Sequence, residues 1–227
     1  MSNIPMIPKQ QTPAITSDQL DAAIAEIRQY FPDDAELAKV SDAEIKQKVG
    51  EYLKSKQTFT PALSAPSAER IEALTAIEDS CPYTIGVVVV DCIFMILGFV
   101  GLHATNSEAI ARAAAKEVGE EVVKNLPKWL KLINALKEAG SPTAVAKAIF
   151  NIGSAAYSAG MFRGILASIA SSMKWWDWII TGVAAVAQIA ALVLTDGAAF
   201  IAEVALNATA IAYVVSDSVK AGQACIG

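Results

Sequence analysis

The chain has 227 residues, enough for one large domain or a domain with an appendage, and it is 54% hydrophobic, 18% charged and net −5. That is more apolar than an ordinary water-soluble domain, and the lack of any basic stripe argues against nucleic acid as a partner. Aromatics make up only 7%, so Ala, Ile, Val and Leu carry the apolarity; this composition favours helix, and with no period-2 alternation between hairpin turns an all-α fold is predicted.

The first residues, Met1 to Lys9, contain no basic stretch followed by an apolar run. No conventional signal peptide is expected, and the chain is expected to be made in the cytoplasm and then released or exported to act on membranes. Residues 1–16, with Pro5, Pro8 and Pro13, read as a mobile arm. Residues 17–80 read as short amphipathic helices forming a cover or docking module. Ser17 caps the first of these helices, which places Leu20, Ile24, Ile27 and Phe31 at helical spacing before Pro32 ends it. Ser41 and Glu44 have capping-box spacing and open a second helix, with Ile45, Val49, Tyr52 and Leu53 on one face. A linker with Pro61 and Pro66 follows, and then a third helix from Ser67 with Ile71, Leu74 and Ile77 in line.

Residues 81–227 read as an apolar helical bundle. Thr84 to Leu102 contains a single charge, Asp91, and as a helix it would reach about 30 Å, the hydrocarbon thickness of a bilayer. Its run of four valines could also be a buried strand, but the apolar stretch is far longer than a typical strand. Thr105 and Glu108 open an Ala-rich helix to about Asn125, and Pro127 fits the first turn of a helix carrying Trp129, Leu132, Ile133 and Leu136 on one face until Gly140. A helix from Ser141-Pro142 leads into a stretch, Ala148 to Met173, whose only charge is Arg163. Within it Gly160 and Gly164 form a GxxxG step suited to close helix contact. Trp175, Trp176 and Trp178 then cluster, and with Trp129 they are candidate anchors at a lipid interface, where an indole ring is half buried and its N–H stays wet.

Ile179 to Thr195 carries no charge, Asp196-Gly197 is a turn signal, and Ala198 to Ser216 carries only Glu203. These are two apolar legs of similar length, a hydrophobic hairpin over residues 179–216. Its lipid-facing candidates are Ile179, Ile180, Val183, Val186, Ile189, Leu192 and Leu194 on the first leg. On the second they are Phe200, Ile201, Val204, Leu206, Ile211 and Val214. Asp91, Asp196 and Glu203 are candidate pH triggers, because an ionised carboxylate in hydrocarbon costs far more than a protonated one. Of the three cysteines, Cys81 and Cys225 bracket the apolar region, and a bond between them would clip its ends together. A reducing cytoplasm would instead leave all three, Cys92 included, as idle thiols.

The layout of residues 179–216 inside a chain of amphipathic helices resembles the pore-forming domain of colicins and related α-helical toxins, over roughly residues 105–227. The chain departs from that pattern in lacking long translocation and receptor regions and in having two more apolar stretches, 84–102 and 148–173. The resemblance implies a soluble helical bundle that opens to insert its hairpin into lipid.

His103 is the only histidine, and no zinc spacing, GxxxxGK loop or GxSxG elbow is present. No enzyme activity, metal, cofactor or small-molecule substrate is expected. The expected function is therefore a membrane-inserting, pore-forming toxin or bacteriocin-like effector, acting on a lipid membrane as a homo-oligomer. Two alternatives stand beside it. One is a soluble self-associating interaction protein with an Ala-rich core. The other is an integral membrane protein with three or four spans.

Overall fold

The computed structural model describes residues 15–56, 80–99, 108–170 and 173–225, and among them it contains ten α-helices and no strand. The fold is an all-α bundle, as its composition predicts. The third amphipathic helix expected from Ser67, the 1–14 arm, Thr105 and His103 lie outside the described residues.

Helix α1 spans Ser17–Tyr30 and α2 spans Asp42–Lys56. The cap of α1 is Thr16, one residue before the serine expected from the sequence. Its hydroxyl accepts from Gln19 N at 3.2 Å while Gln19 Oε1 accepts from Thr16 N at 2.8 Å, a reciprocal pair that satisfies two orphan amides. Ser41 caps α2 by accepting from Glu44 N at 3.3 Å. Arg28 ties the connection down, donating to the carbonyls of Leu37 and Val40 at 2.7 Å each and to the Asp42 carboxylate. These charge-assisted bonds hold a short 3-10 turn at Leu37–Lys39 so that Leu37 points inward, fully buried.

Helix α3, Cys81–Phe99, contains all four valines of the run, each buried. A helix apolar on every side needs protein on every side. Helix α4, Glu108–Lys124, supplies much of it. The two backbones approach closely at Gly86, where a Cβ would lie 2.9 Å from the Ala115 carbonyl and 3.1 Å from Gly119 N. Helices α5, Leu126–Lys137, and α6, Pro142–Ser158, pack on each other and on α3. Both have proline in the first turn, where its missing N–H costs nothing.

The predicted GxxxG contact is corrected. Gly160 sits at φ +73 in the turn after α6, where its N–H and that of Met161 bond back to Tyr157 and Ala156 as a helix-ending motif. Gly164 lies on the next helix, α7, Phe162–Ala170, against the Glu117 carboxylate of α4. The two glycines belong to different elements because the left-handed turn at Gly160 ends α6. The close helix contact is made by Gly86 and Gly119 instead.

Helix α8, Trp175–Leu194, ends in the predicted Asp196-Gly197 turn, with both residues left-handed at φ 50 and φ 65. Gly197 is required there twice over, since a Cβ would also overlap the Phe150 ring. The second leg is not one continuous helix, which corrects the hairpin expectation. It breaks at Ala205-Leu206-Asn207 into α9, Ala198–Val204, and α10, Ala208–Ala224. Helix α9 packs on α6, while α10 turns away to pack on α3 and α5. Phe200 anchors the short helix between Phe99 and Phe150, at centroid distances of 5.4 and 6.1 Å. Burying this ring against α6 outweighs continuing the helix.

Candidate functional site

Two helices, α3 and α8, are long and apolar enough to cross a bilayer, and two thirds of each span is buried in protein. Helix α8 is the more informative because it lies between two separate hydrophobic clusters. Ala185, Ile189 and Leu192 face the main core, built from α3 to α10. Ile179, Val183, Val186 and Ala187 face a second core shared with α1, α2 and the turn between them, which contribute Ile24, Ile27, Leu37, Ile45 and Val49. The amphipathic module at 17–56 thus covers one side of the longest apolar helix among the described residues. Each of these residues is apolar because its helix has a wet face and a dry one. Only the tertiary arrangement places the dry face on α8.

Polar contacts hold the cover in register. Trp175 Nε1 donates to both oxygens of Asp34 at 3.2 Å. Phe31 meets Trp178 edge-on with centroids 4.5 Å apart, and Lys48 Nζ stands 4.8 Å from the Trp176 ring. Glu26 on α1 accepts from two phenols, Tyr30 beside it and Tyr157 on α6 at 2.6 Å. Burial, then the bond to Glu26, pushes both phenols far above their ordinary range, so both remain donors at any physiological pH.

All four tryptophans expected at a lipid interface are covered by protein, wholly or in part. Trp178 is buried in the second core, Trp175 and Trp176 are half-buried against the cover, and Trp129 is buried in the main core with Lys128 Nζ 5.3 Å from its ring. The Trp175 N–H finds Asp34 in the connection between α1 and α2, and the rings pack against the module and the main core.

The hairpin candidates divide similarly. Ile180 is half-buried against the cover, Phe200, Val204 and Val214 are in the main core, and Ile201 and Ile211 are half-buried beside it. Leu194, the last residue of α8, and Leu206, just past α9, differ, being 75% and 65% exposed. Of the trigger candidates, Asp91 is buried in α3, Glu203 is half-buried in α9, and Asp196 is exposed in the turn. Burial raises the Glu203 carboxyl above its ordinary value. A carboxyl raised in the folded state destabilises the fold when ionised. That penalty fades as pH falls through the raised value, so acid favours the closed bundle at Glu203.

Cys81 opens α3 and Cys225 follows α10, and the two are bonded, with Cα atoms 4.6 Å apart across 144 residues of sequence. Cys92 is a buried free thiol. Sequence spacing left open whether these cysteines pair, because only the packing of α10 on α3 brings the first and last together. Sequence reasoning missed Asp34, Glu26 and Tyr157 as latch residues. Each looked like surface or core in its own helix, and nothing local marks a contact between residues 131 or 141 positions apart.

Fold and site together define a class: an all-α bundle that keeps two bilayer-length helices buried, one of them between two cores. Comparison with family models, with curated proteins and with solved structures finds no match to this chain.

Proposed function

We propose that this protein is a membrane-inserting helical effector, held in a closed soluble form until its apolar helices pass into lipid. The observation that carries the reading is α8. It is 20 residues long, apolar enough to span, and covered on one side by a small module with its own core and a few polar latches. Because the module and the main core are separate clusters, α8 can be uncovered on one side without dismantling the other. Release of residues 17–56 exposes Ile179, Val183 and Val186 together, a stripe of about 10 Å suited to lipid. The Cys81–Cys225 bond suits a protein that leaves the cytosol, because such bonds persist in oxidising surroundings.

First contact with lipid falls to Leu194 and Leu206, the two most exposed large apolar side chains among the described residues. Because neither is packed, Leu194→Asp with Leu206→Asp leaves the melting temperature nearly unchanged, within about 0.5 kcal/mol of stability. The same double variant lowers vesicle binding by about tenfold or more in co-sedimentation. Equal binding by wild type and variant would remove these leucines from the entry step.

Of the three carboxylates, Asp196 is the one that insertion newly strips of water. Asp91 is already buried in the closed form, and acid at Glu203 favours that form, whereas Asp196 is exposed and loses its water only on insertion. The deciding experiment is dye release from sealed vesicles, phosphatidylglycerol-containing against phosphatidylcholine alone, from about pH 7 to 4. Leakage that grows as pH falls is expected, and Asp196→Asn leaks at neutral pH about as fast as wild type does in acid. No leakage from any vesicle, by a protein soluble without detergent, overturns the proposal and leaves α3 and α8 as ordinary core helices of an assembly protein.

A further inference from the structure

Gln188 lies near the middle of α8, 9% exposed, and no donor among the described residues reaches its Oε1. A buried amide oxygen without a donor weakens the closed fold, and a leucine of similar volume would fit there without that penalty. The residue is also not isolated along the helix. Thr181 precedes it by seven positions and Thr195 follows it by seven, and two helical turns bring such positions within roughly 20° of each other. Both threonines bond back into their own helix, Thr181 Oγ1 to Asp177 O at 2.6 Å and Thr195 Oγ1 to Ala191 O at 3.1 Å. Their side chains therefore bring polarity to one face without needing a partner in the bundle.

Helix α3 repeats the arrangement. Thr84 stands seven positions before Asp91, the single charge of that span, and Thr84 Oγ1 bonds back to Cys81 O at 3.0 Å. In each bilayer-length helix one polar side chain thus sits in the central part of the span, with a self-satisfied threonine two turns earlier on the same side. In lipid a polar side chain at mid-span faces neighbouring helices or water, never the acyl chains.

We propose that in the inserted state the Thr181–Gln188–Thr195 face of α8 and the Thr84–Asp91 face of α3 line one water-filled path, and that Asp91 makes this path prefer cations. The inference rests on the membrane reading above and deepens it. Two helices cannot surround water, so the path is closed by several copies of the chain, each contributing the same two faces. A ring of mid-span aspartates favours cations over anions by the same field that draws counter-ions to any carboxylate ring.

The test is conductance in a planar bilayer of phosphatidylglycerol and phosphatidylcholine under a KCl gradient, beside vesicle leakage and thermal melting. Wild type is expected to reverse on the cation side. Asp91→Asn lowers the potassium-to-chloride permeability ratio by about threefold or more. Gln188→Leu lowers single-channel conductance by about twofold or more while raising the melting temperature by a few degrees, an opposition that a purely structural glutamine does not produce. Wild-type conductance that both variants reproduce overturns this assignment and leaves membrane insertion standing. A Gln188→Leu protein that melts lower and conducts as wild type makes the residue structural and equally overturns the assignment. Wild type that neither leaks vesicles nor conducts overturns the membrane reading, and this inference with it.

Discussion

Replacing Ile24 and Ile27 together by alanine makes the protein less stable and, at the same time, faster at permeabilising vesicles. Both side chains are at most 1% exposed and belong to the second core. Ile27 reaches α8 at Gly182, where a Cβ would meet its Cδ1 at 3.5 Å. Truncating a buried isoleucine costs about 2–4 kcal/mol through lost burial and the cavity left behind. Two such losses fall on the module at 17–56 and leave the main core untouched, since no residue of α1 or α2 belongs to it. The cover then separates from α8 more often, and leakage at a given protein concentration speeds up by about tenfold or more, because each 1.4 kcal/mol of clasp energy shifts the open fraction tenfold. A milder companion, Tyr157→Phe, removes only the bond to Glu26, worth about 1 kcal/mol, and should move both readings a shorter way in the same directions. A chemical melt and a leakage time course on the same samples check this. Lower stability with unchanged or slower leakage would show that the module is part of the fold but restrains nothing.

The second large effect concerns the Cys81–Cys225 bond. It closes a stretch of 144 residues and joins the start of α3 to the end of α10. Chain-entropy arguments put the stabilisation of so long a loop at about 4–5 kcal/mol. In a protein of this length, that is about 10 °C or more of melting temperature. Reduction of the wild type, or Cys81→Ser with Cys225→Ser, should lower the melting temperature by that amount and let α3 leave the bundle sooner, so that leakage begins at a milder pH. Cys92 does not confuse the comparison. It is fully buried, out of reach of a soluble oxidant or reductant. Equal melting with and without reductant would mean that the clip contributes nothing to holding α3.

The two effects act on different helices. The cover restrains α8 and the disulfide restrains α3, so their free energies should add when the changes are combined, within a few tenths of a kcal/mol. A combined variant far more leaky than the sum of its parts would instead mark α3 and α8 as one unit that opens together.

Much of the fold was legible from the residues alone. The helical class follows from Ala, Leu, Ile and Val at spacings of three and four. The ends of α2, α5 and α6 follow from Ser41, Pro127 and Ser141-Pro142, because capping and proline effects act over three or four residues and need no partner elsewhere. The apolar runs at 84–102 and 179–195 announced long apolar helices for the same reason: apolarity is a property of the segment itself. What only the tertiary structure decided are the relations between segments. The second leg breaks after Val204 because Phe200 finds Phe99 and Phe150, two rings from helices far away in sequence. Trp175, Trp176 and Trp178 are covered because Asp34, Lys48 and Phe31 arrive from a module more than 120 residues earlier. The cysteines pair because α10 lies along α3. Local propensity is summed along the chain and can be read there. Burial is a competition among every apolar surface at once, and only the folded arrangement decides which surface covers which.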